Sequence, residues 1–287
     1  MPLSFLQIVI LGLIQGAAEM LPVSSSAHVI VAEKLMGLDP SSPQMTFMLV
    51  MLHTGTMAAF ISFFWKAWKE NFLSNHEQRR STTGNLAIAT FYTLAIGFGL
   101  QVLIEKVFAR ENNPIEIEDL FSNLRIIAAA LTAAGLLILV SSFREKREVE
   151  DTDLPFGTAG WIGFVQGLCI PFRGLSRSGA TISAGLLLNV GKSRAEEFSF
   201  ALAVIITPLA IAKELLRLVH AHSGLRSPSH VIALLVPGLI GIVCSFLAGL
   251  LALKLLSSWL KAGRWWYFGV YCLAAAAGVL ALARAGY

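Results

Sequence analysis

Apolar residues run through this chain in long unbroken stretches, not in the two-turn or alternating patterns of a water-soluble domain. Charge-free runs at 45–65, 85–104, 231–253 and 265–283 each approach or reach the ~20 helical residues that cross a bilayer, and 126–143 is slightly shorter. A sixth run, 197–219, carries Lys213, Glu214 and Arg217 toward its far end, which places that end near the headgroups. Two further apolar stretches are broken. Pro22 interrupts 3–32 and Ser24, Ser25 and Ser26 favour a turn there; Pro171, Gly174 and Gly179 interrupt 156–190. Each reads as a re-entrant helical hairpin that enters and leaves on one side, with its non-helical turn sheltered by protein or a water-filled cavity.

Three spans separate the hairpins, so the second enters from the opposite face, and three more follow it. The predicted fold is all-α: a polytopic membrane protein of about six transmembrane helices plus two re-entrant hairpins in an inverted repeat. Its halves are 1–150 and 151–287 of one integral membrane domain, with the charged linker 144–153 as the boundary. Inverted repeats of this kind bring broken hairpin tips together near the midplane, where membrane proteins place their sites.

Composition agrees. Of 287 residues 55% are hydrophobic and only 14% charged, far more apolar than a soluble domain. The net charge of +4 would suggest nucleic acid in a soluble protein; here the basic residues lie mostly in connecting loops, which is a topology signal, and no nucleic-acid partner is expected. The loops holding Lys66, Lys69, Arg79 and Arg80, then Arg144, Lys146 and Arg147, then Lys254, Lys261 and Arg264 are assigned to the cytoplasm. The acidic loop with Glu111, Glu116, Glu118 and Asp119 and both chain ends fall opposite; Lys213, Arg217 and Arg226 count against this bias. The first segment lacks a basic leader and carries Gln15 and Glu19, so it is expected to remain in the mature chain. Cys169, Cys244 and Cys272 lie singly in apolar sequence and read as core packing.

Candidate chemistry sits in the hairpins. Gln15 and Glu19, four apart, share a helical face that points toward Ser24, Ser25, Ser26 and His28. A carboxylate, hydroxyls and an imidazole in one short hairpin suit metal-assisted or nucleophilic attack on a phosphorus or carbonyl centre. In the second hairpin Arg177 lies among Gly174, Ser176, Ser178, Gly179 and Thr181 just before an apolar helix. Small residues, a helix N-terminus and a forked guanidinium make an anion site; Arg177 as internal counter-ion to Glu19 is compatible with it when no ligand is bound. Arg173 is either a ligand residue or a marker of the membrane edge, and His53 ranks below these as a cavity residue. Trp265, Trp266 and Tyr267, like Trp65 and Trp68, read as an interfacial aromatic belt.

Gln15-x-x-x-Glu19, then Leu21-Pro22-Val23-Ser24-Ser25-Ser26-Ala27-His28, with Gly174-Leu175-Ser176-Arg177-Ser178-Gly179-Ala180-Thr181 in the second half, resembles the undecaprenyl-diphosphate phosphatases of the bacitracin-resistance type. The resemblance implies a divalent-metal-dependent hydrolase that converts undecaprenyl diphosphate to undecaprenyl phosphate, recycling the lipid carrier of cell-wall synthesis. It further implies a multi-pass protein of the bacterial inner membrane acting mainly at its outer face. By motif position Glu19, Ser25, His28 and Arg177 are the expected catalytic residues. Gln15, Ser24, Ser26, Arg173, Gly174, Ser176, Ser178, Gly179 and Thr181 are the expected substrate contacts, and Glu19 with Gln15 the expected holders of Mg²⁺ or Ca²⁺. Ser25 is the first choice of nucleophile and His28 of general base, with His28 itself or a metal-activated water as alternatives. Prenyl diphosphate and membrane lipids are the expected partners, with a homodimer left open. Two positions depart from the family pattern: Ala27 stands where glycine is usual, and Pro171-Phe172-Arg173-Gly174 is longer than the commoner Pro-Gly lead-in. A lipid-phosphate transporter or flippase is the rival reading, because it would use the same fold and the same anion grip.

Overall fold

Why each broken stretch folds as two short helices is visible in its turn residues. In the computed structural model, which describes residues 3–40, 42–72, 75–108, 123–144, 154–221 and 228–286, the first hairpin is α1 (Phe5–Met20) and α2 (Ser25–Leu35). Ser4 and Gln7 form a capping box at the start of α1, and Pro22 follows its end. The second hairpin is α6 (Phe156–Cys169) and α7 (Arg177–Leu187). All four helices are too short to cross a bilayer alone.

The remaining helices are α3 (Pro43–Phe72), α4 (His76–Phe108), α5 (Leu124–Arg144), α8 (Lys192–Ala221), α9 (Pro228–Lys261) and α10 (Trp266–Arg284). Each contains a stretch long and apolar enough to span a membrane, six in all among the described residues, and no strand occurs there. The protein is an all-helical, multi-pass membrane protein. The span within α8 is Lys192–Ala212, several residues ahead of the stretch expected from sequence; Pro208 lies inside this helix. The acidic loop, residues 145–153 of the linker, and Arg226 lie outside the described residues.

Packing crosses the chain. α1 lies against α9, α6 against α4, α3 against both α8 and α9, and α5 against α10. Small residues allow the two hairpin contacts: a Cβ at Gly16 would sit 2.5 Å from the Ser245 carbonyl oxygen of α9, and one at Gly163 would sit 2.5 Å from Cα of Ala89 on α4. α4 exposes Phe91 and Phe98 along the bilayer-facing side, as a helix facing lipid does. The main core surrounds the hairpin turns, where Phe60 and Phe200 bring their ring centroids within 4.7 Å.

Trp265 does not belong to the interfacial belt: it is fully buried, and its indole N–H is shared between Ser141 Oγ at 3.1 Å and Ser183 Oγ at 3.3 Å. A buried indole needs an acceptor, and α5 and α7 supply two. Trp65, Trp266 and Tyr267 remain exposed, whereas Trp68, also expected in the belt, packs partly buried on the core with its indole N–H donating to Glu197 O at 3.2 Å.

Candidate active site

Both hairpins reach their second helix through a serine in the left-handed region, Ser24 with φ 67° and Ser176 with φ 48°. That conformation costs a non-glycine residue roughly 1–3 kcal/mol and persists only where its surroundings impose it. In each case the next residue opens a helix, Ser25 in α2 and Arg177 in α7, so the two turns present a hydroxyl and a guanidinium from matching positions. Ser176 Oγ caps Gly179 N at 3.2 Å, whereas Ser24 Oγ lies 3.3 Å from Ser26 Oγ.

The two turns meet at Glu19. One carboxylate oxygen accepts from Arg177 Nη2 at 2.6 Å; the other accepts from Ser25 Oγ at 2.5 Å and from Gln15 Nε2 at 3.2 Å. His53 Nε2, from α3, stands 3.9 Å from that second oxygen. Four helices therefore converge on one carboxylate. The Arg177 guanidinium also lies over the Phe60 ring, 5.8 Å from its centroid. Such a buried pair is an expensive arrangement to keep for packing alone, since apolar residues of similar volume often serve stability as well.

A cavity of about 340 Å³ opens onto this centre. Glu19, Ser24, Ser25 and Ser26 line it from the first hairpin; Arg173, Gly174, Ser176, Arg177 and Ser178 line it from the second. Gln15 does not line the cavity; it lies behind Glu19, to which its amide nitrogen donates. Thr181 and Gly179 are buried behind the site: the Thr181 hydroxyl donates to Arg177 O at 2.8 Å and pairs with Ser199 Oγ, tying the first turn of α7 to α8. That geometry positions Arg177 and offers no contact to a ligand in the cavity.

His28 is also elsewhere. Its Nδ1 lies 2.8 Å from Ser24 O, an acceptor, so Nδ1 carries the hydrogen; Nε2 then accepts from the Tyr271 hydroxyl, also at 2.8 Å. Both ring nitrogens are engaged, and the ring braces the strained Ser24 turn instead of joining Ser25. The imidazole beside the carboxylate is His53. The sequence places His53 below His28 and gives no role to Tyr271 or to Glu33, a buried acid that lines the cavity. Glu33 falls seven residues after Ser26, on the same face of α2, and that spacing was the available signal. Cys169, read as core packing, lines the cavity as well.

For a divalent cation the donors are oxygens only. Glu19 supplies its carboxylate, and Gln15 Oε1 is a buried acceptor with no hydrogen-bond partner. No group of three or more His, Cys, Asp or Glu side chains is gathered for a metal among the described residues. A hard oxygen set this small fits Mg²⁺ or Ca²⁺ if phosphate oxygens of a substrate complete the coordination, the usual manner for Mg²⁺.

Comparison with known proteins agrees with this architecture. The family model described as bacitracin resistance protein BacA matches residues 8–278. The chain is similar to undecaprenyl-diphosphatase 2 of Acinetobacter baylyi, 53% identical with 98% of this chain and 99% of that protein covered. It is also similar to the undecaprenyl-diphosphatases of Moorella thermoacetica, 33% identical with 98% of each covered, and Desulfosudis oleivorans, 32% identical with 93% and 94% covered. With two serine-strained hairpins meeting at one carboxylate and a match running nearly end to end, the chain belongs to the bacitracin-resistance BacA family.

Proposed function

We propose that this protein is an undecaprenyl-diphosphate phosphatase that cleaves the phosphoanhydride bond of its lipid substrate, yielding undecaprenyl phosphate and inorganic phosphate. The observation that carries this reading is the Glu19 carboxylate held between a serine hydroxyl and an arginine fork. The prenyl chain stays in lipid while the diphosphate enters the cavity. Its oxygens draw Arg177 away from Glu19 into a bidentate grip, and the freed carboxylate takes the Ser25 proton. Ser25 Oγ then bonds the terminal phosphorus as the bond from that phosphorus to the bridging oxygen breaks, and undecaprenyl phosphate leaves. Glu19 passes that proton to the departing undecaprenyl phosphate, then takes one from a water whose oxygen bonds the phosphorus of the phosphoserine. It returns this second proton to Ser25 Oγ as the serine–phosphorus bond breaks and inorganic phosphate leaves. Direct attack by water is the alternative, and trapping of a phosphorylated Ser25 separates the two. A nucleophilic His28 is disfavoured by its bonds to Ser24 and Tyr271.

Glu19 and Gln15 would hold a divalent cation, which when bound neutralises charge on the phosphate oxygens. The inverted-repeat reading is supported by the reciprocal packing of each hairpin on the other half and by the matched serines. The cavity is lined by Met45 and Thr46 at the start of α3 and by Pro40 beside it, the end that the charge bias assigns to the outer face of the inner membrane. The transporter reading finds no support in relatives named as diphosphatases. Purified protein in detergent should release phosphate from undecaprenyl diphosphate, lose that activity in chelator and regain it with added Mg²⁺ or Ca²⁺. No release under any divalent cation would refute the enzyme; undiminished release after exhaustive chelation would refute the metal.

A further inference from the structure

The cavity carries a second pair of opposite charges with no task in the chemistry above. Glu33 lines it at 5% exposure, and Arg173 lines it from the turn between α6 and α7. Glu33 and Arg173 face the same cavity from different hairpins without forming an ion pair, and Arg173 and Asp39 are the nearby charges that act on the Glu33 carboxyl group. Glu33 lies eight residues beyond Ser25 on α2, about 12 Å along the helix axis. The chain then turns through Gly37, Asp39 and Pro40, so this is the end of the cavity nearest a polar turn. A diphosphate whose terminal phosphorus touches Ser25 does not extend that far. Glu33 therefore lies off the reaction centre, between it and the turn, and Arg173 lines the same cavity from the other hairpin.

A carboxylate facing a cavity that receives polyanions opposes binding unless another charge engages it. Arg173 is that charge. A phosphate arriving at this end is drawn by the guanidinium and, once there, is repelled by the Glu33 carboxylate that faces the same space. Such a site takes an anion weakly and gives it up readily, which suits a departing product and not a substrate held for reaction.

We propose that Arg173 and Glu33 form an outer oxyanion subsite through which inorganic phosphate leaves, Arg173 drawing the anion off the reaction centre and the Glu33 carboxylate repelling it outward. The proposal rests on the phosphatase reading and involves no covalent step. Arg173 stands in the lead-in that lengthens this chain's second motif, so the subsite belongs to the very segment that departs from the family pattern.

The test is product inhibition of the full-length protein in detergent, followed by chromatography of the undecaprenyl phosphate formed as inorganic phosphate is added. Glu33→Gln should lower the half-inhibiting phosphate concentration at least about fivefold, and Arg173→Gln should raise it by a similar factor, as loss of one charge from a partly buried pair implies. A general loosening of the cavity would move both variants in the same direction. Inhibition unchanged in both, or shifted alike, overturns the subsite. Should Glu33→Gln fail to fold, Glu33→Asp, with its shorter arm, should shift inhibition the same way by less, and no shift overturns the subsite. Phosphorus NMR line broadening of inorganic phosphate, stronger with Glu33→Gln than with the wild type, reads the same site without turnover. An inactive wild type that still shows this difference would sink the phosphatase reading and leave the subsite standing.

Discussion

At the scale of single residues, Arg177 separates a charge that balances from a charge that grips. Lysine keeps the positive charge near Glu19, so a purely electrostatic partner would survive Arg177→Lys. A bidentate hold on phosphate would not, because an ammonium lacks the planar fork. Removing a donor aimed at charge developing in a transition state typically costs ~10²–10³-fold in turnover. Arg177→Lys is expected to lose at least about tenfold in phosphate release while its melting curve stays near wild type, with Arg177→Ala slower still. Wild-type rates in the lysine variant would return Arg177 to the role of structural partner. Glu19, Ser25 and Arg177 were legible in sequence because charge and hydroxyl groups stand out in apolar runs. The choice between His28 and His53 was not: it depends on how α3 is rotated toward α1 and on a hydroxyl supplied by Tyr271, 243 residues away.

At the scale of helices, the hairpins are built alike but equipped differently. Gln15 and Gln166 each precede a glycine in the first helix of a hairpin, and both are buried. Gln15 Nε2 donates to Glu19, whereas both amide atoms of Gln166 lack a partner. A buried amide without partners costs about 1–3 kcal/mol. Gln166→Met is therefore expected to hold or raise the melting temperature and to keep phosphate release near wild type, while Gln15→Met folds but releases phosphate far more slowly. A destabilised Gln166→Met would show that the amide has a partner, such as a buried water. Pro22, Pro171 and Gly174 made the broken helices legible. Trp265 was misread because an aromatic at the start of a final span looks the same whether it faces headgroups or, as here, fills a gap between α5 and α7.

At the scale of the whole molecule, the two-sidedness of the chain can be measured. Between Asp39 and Ala262 the chain passes through α3, α4, α5, α8 and α9, an odd number of spans, if α6 and α7 return to the side they entered. In a variant with Cys169, Cys244 and Cys272 replaced, single cysteines at Asp39 and Ala262 should be labelled by an impermeant thiol reagent from opposite sides of sealed vesicles. Labelling from one side would mean that the second hairpin crosses the membrane. The number of spans was legible from apolar length. Their lateral arrangement was not, since it follows from glycine contacts such as those of Gly16 and Gly163, and glycines without such contacts look the same in sequence.

The aromatic column beneath the cavity bears on a different demand. Phe60 packs at a tilt on Phe200, Phe200 stacks on Phe64 and Phe64 on Trp68, continuing along α3 away from Glu19. A membrane enzyme that admits water to a charged site deep in the bilayer has to remain an electrical insulator, because a 100 mV potential acts on each mobile unit charge with about 2.3 kcal/mol. The rings put hydrocarbon between the wet cavity and the far side, and the Glu19 and Arg177 pair brings no net charge for the field to pull. Hydrolysis can thus proceed within the membrane without short-circuiting the gradient that the cell maintains across it.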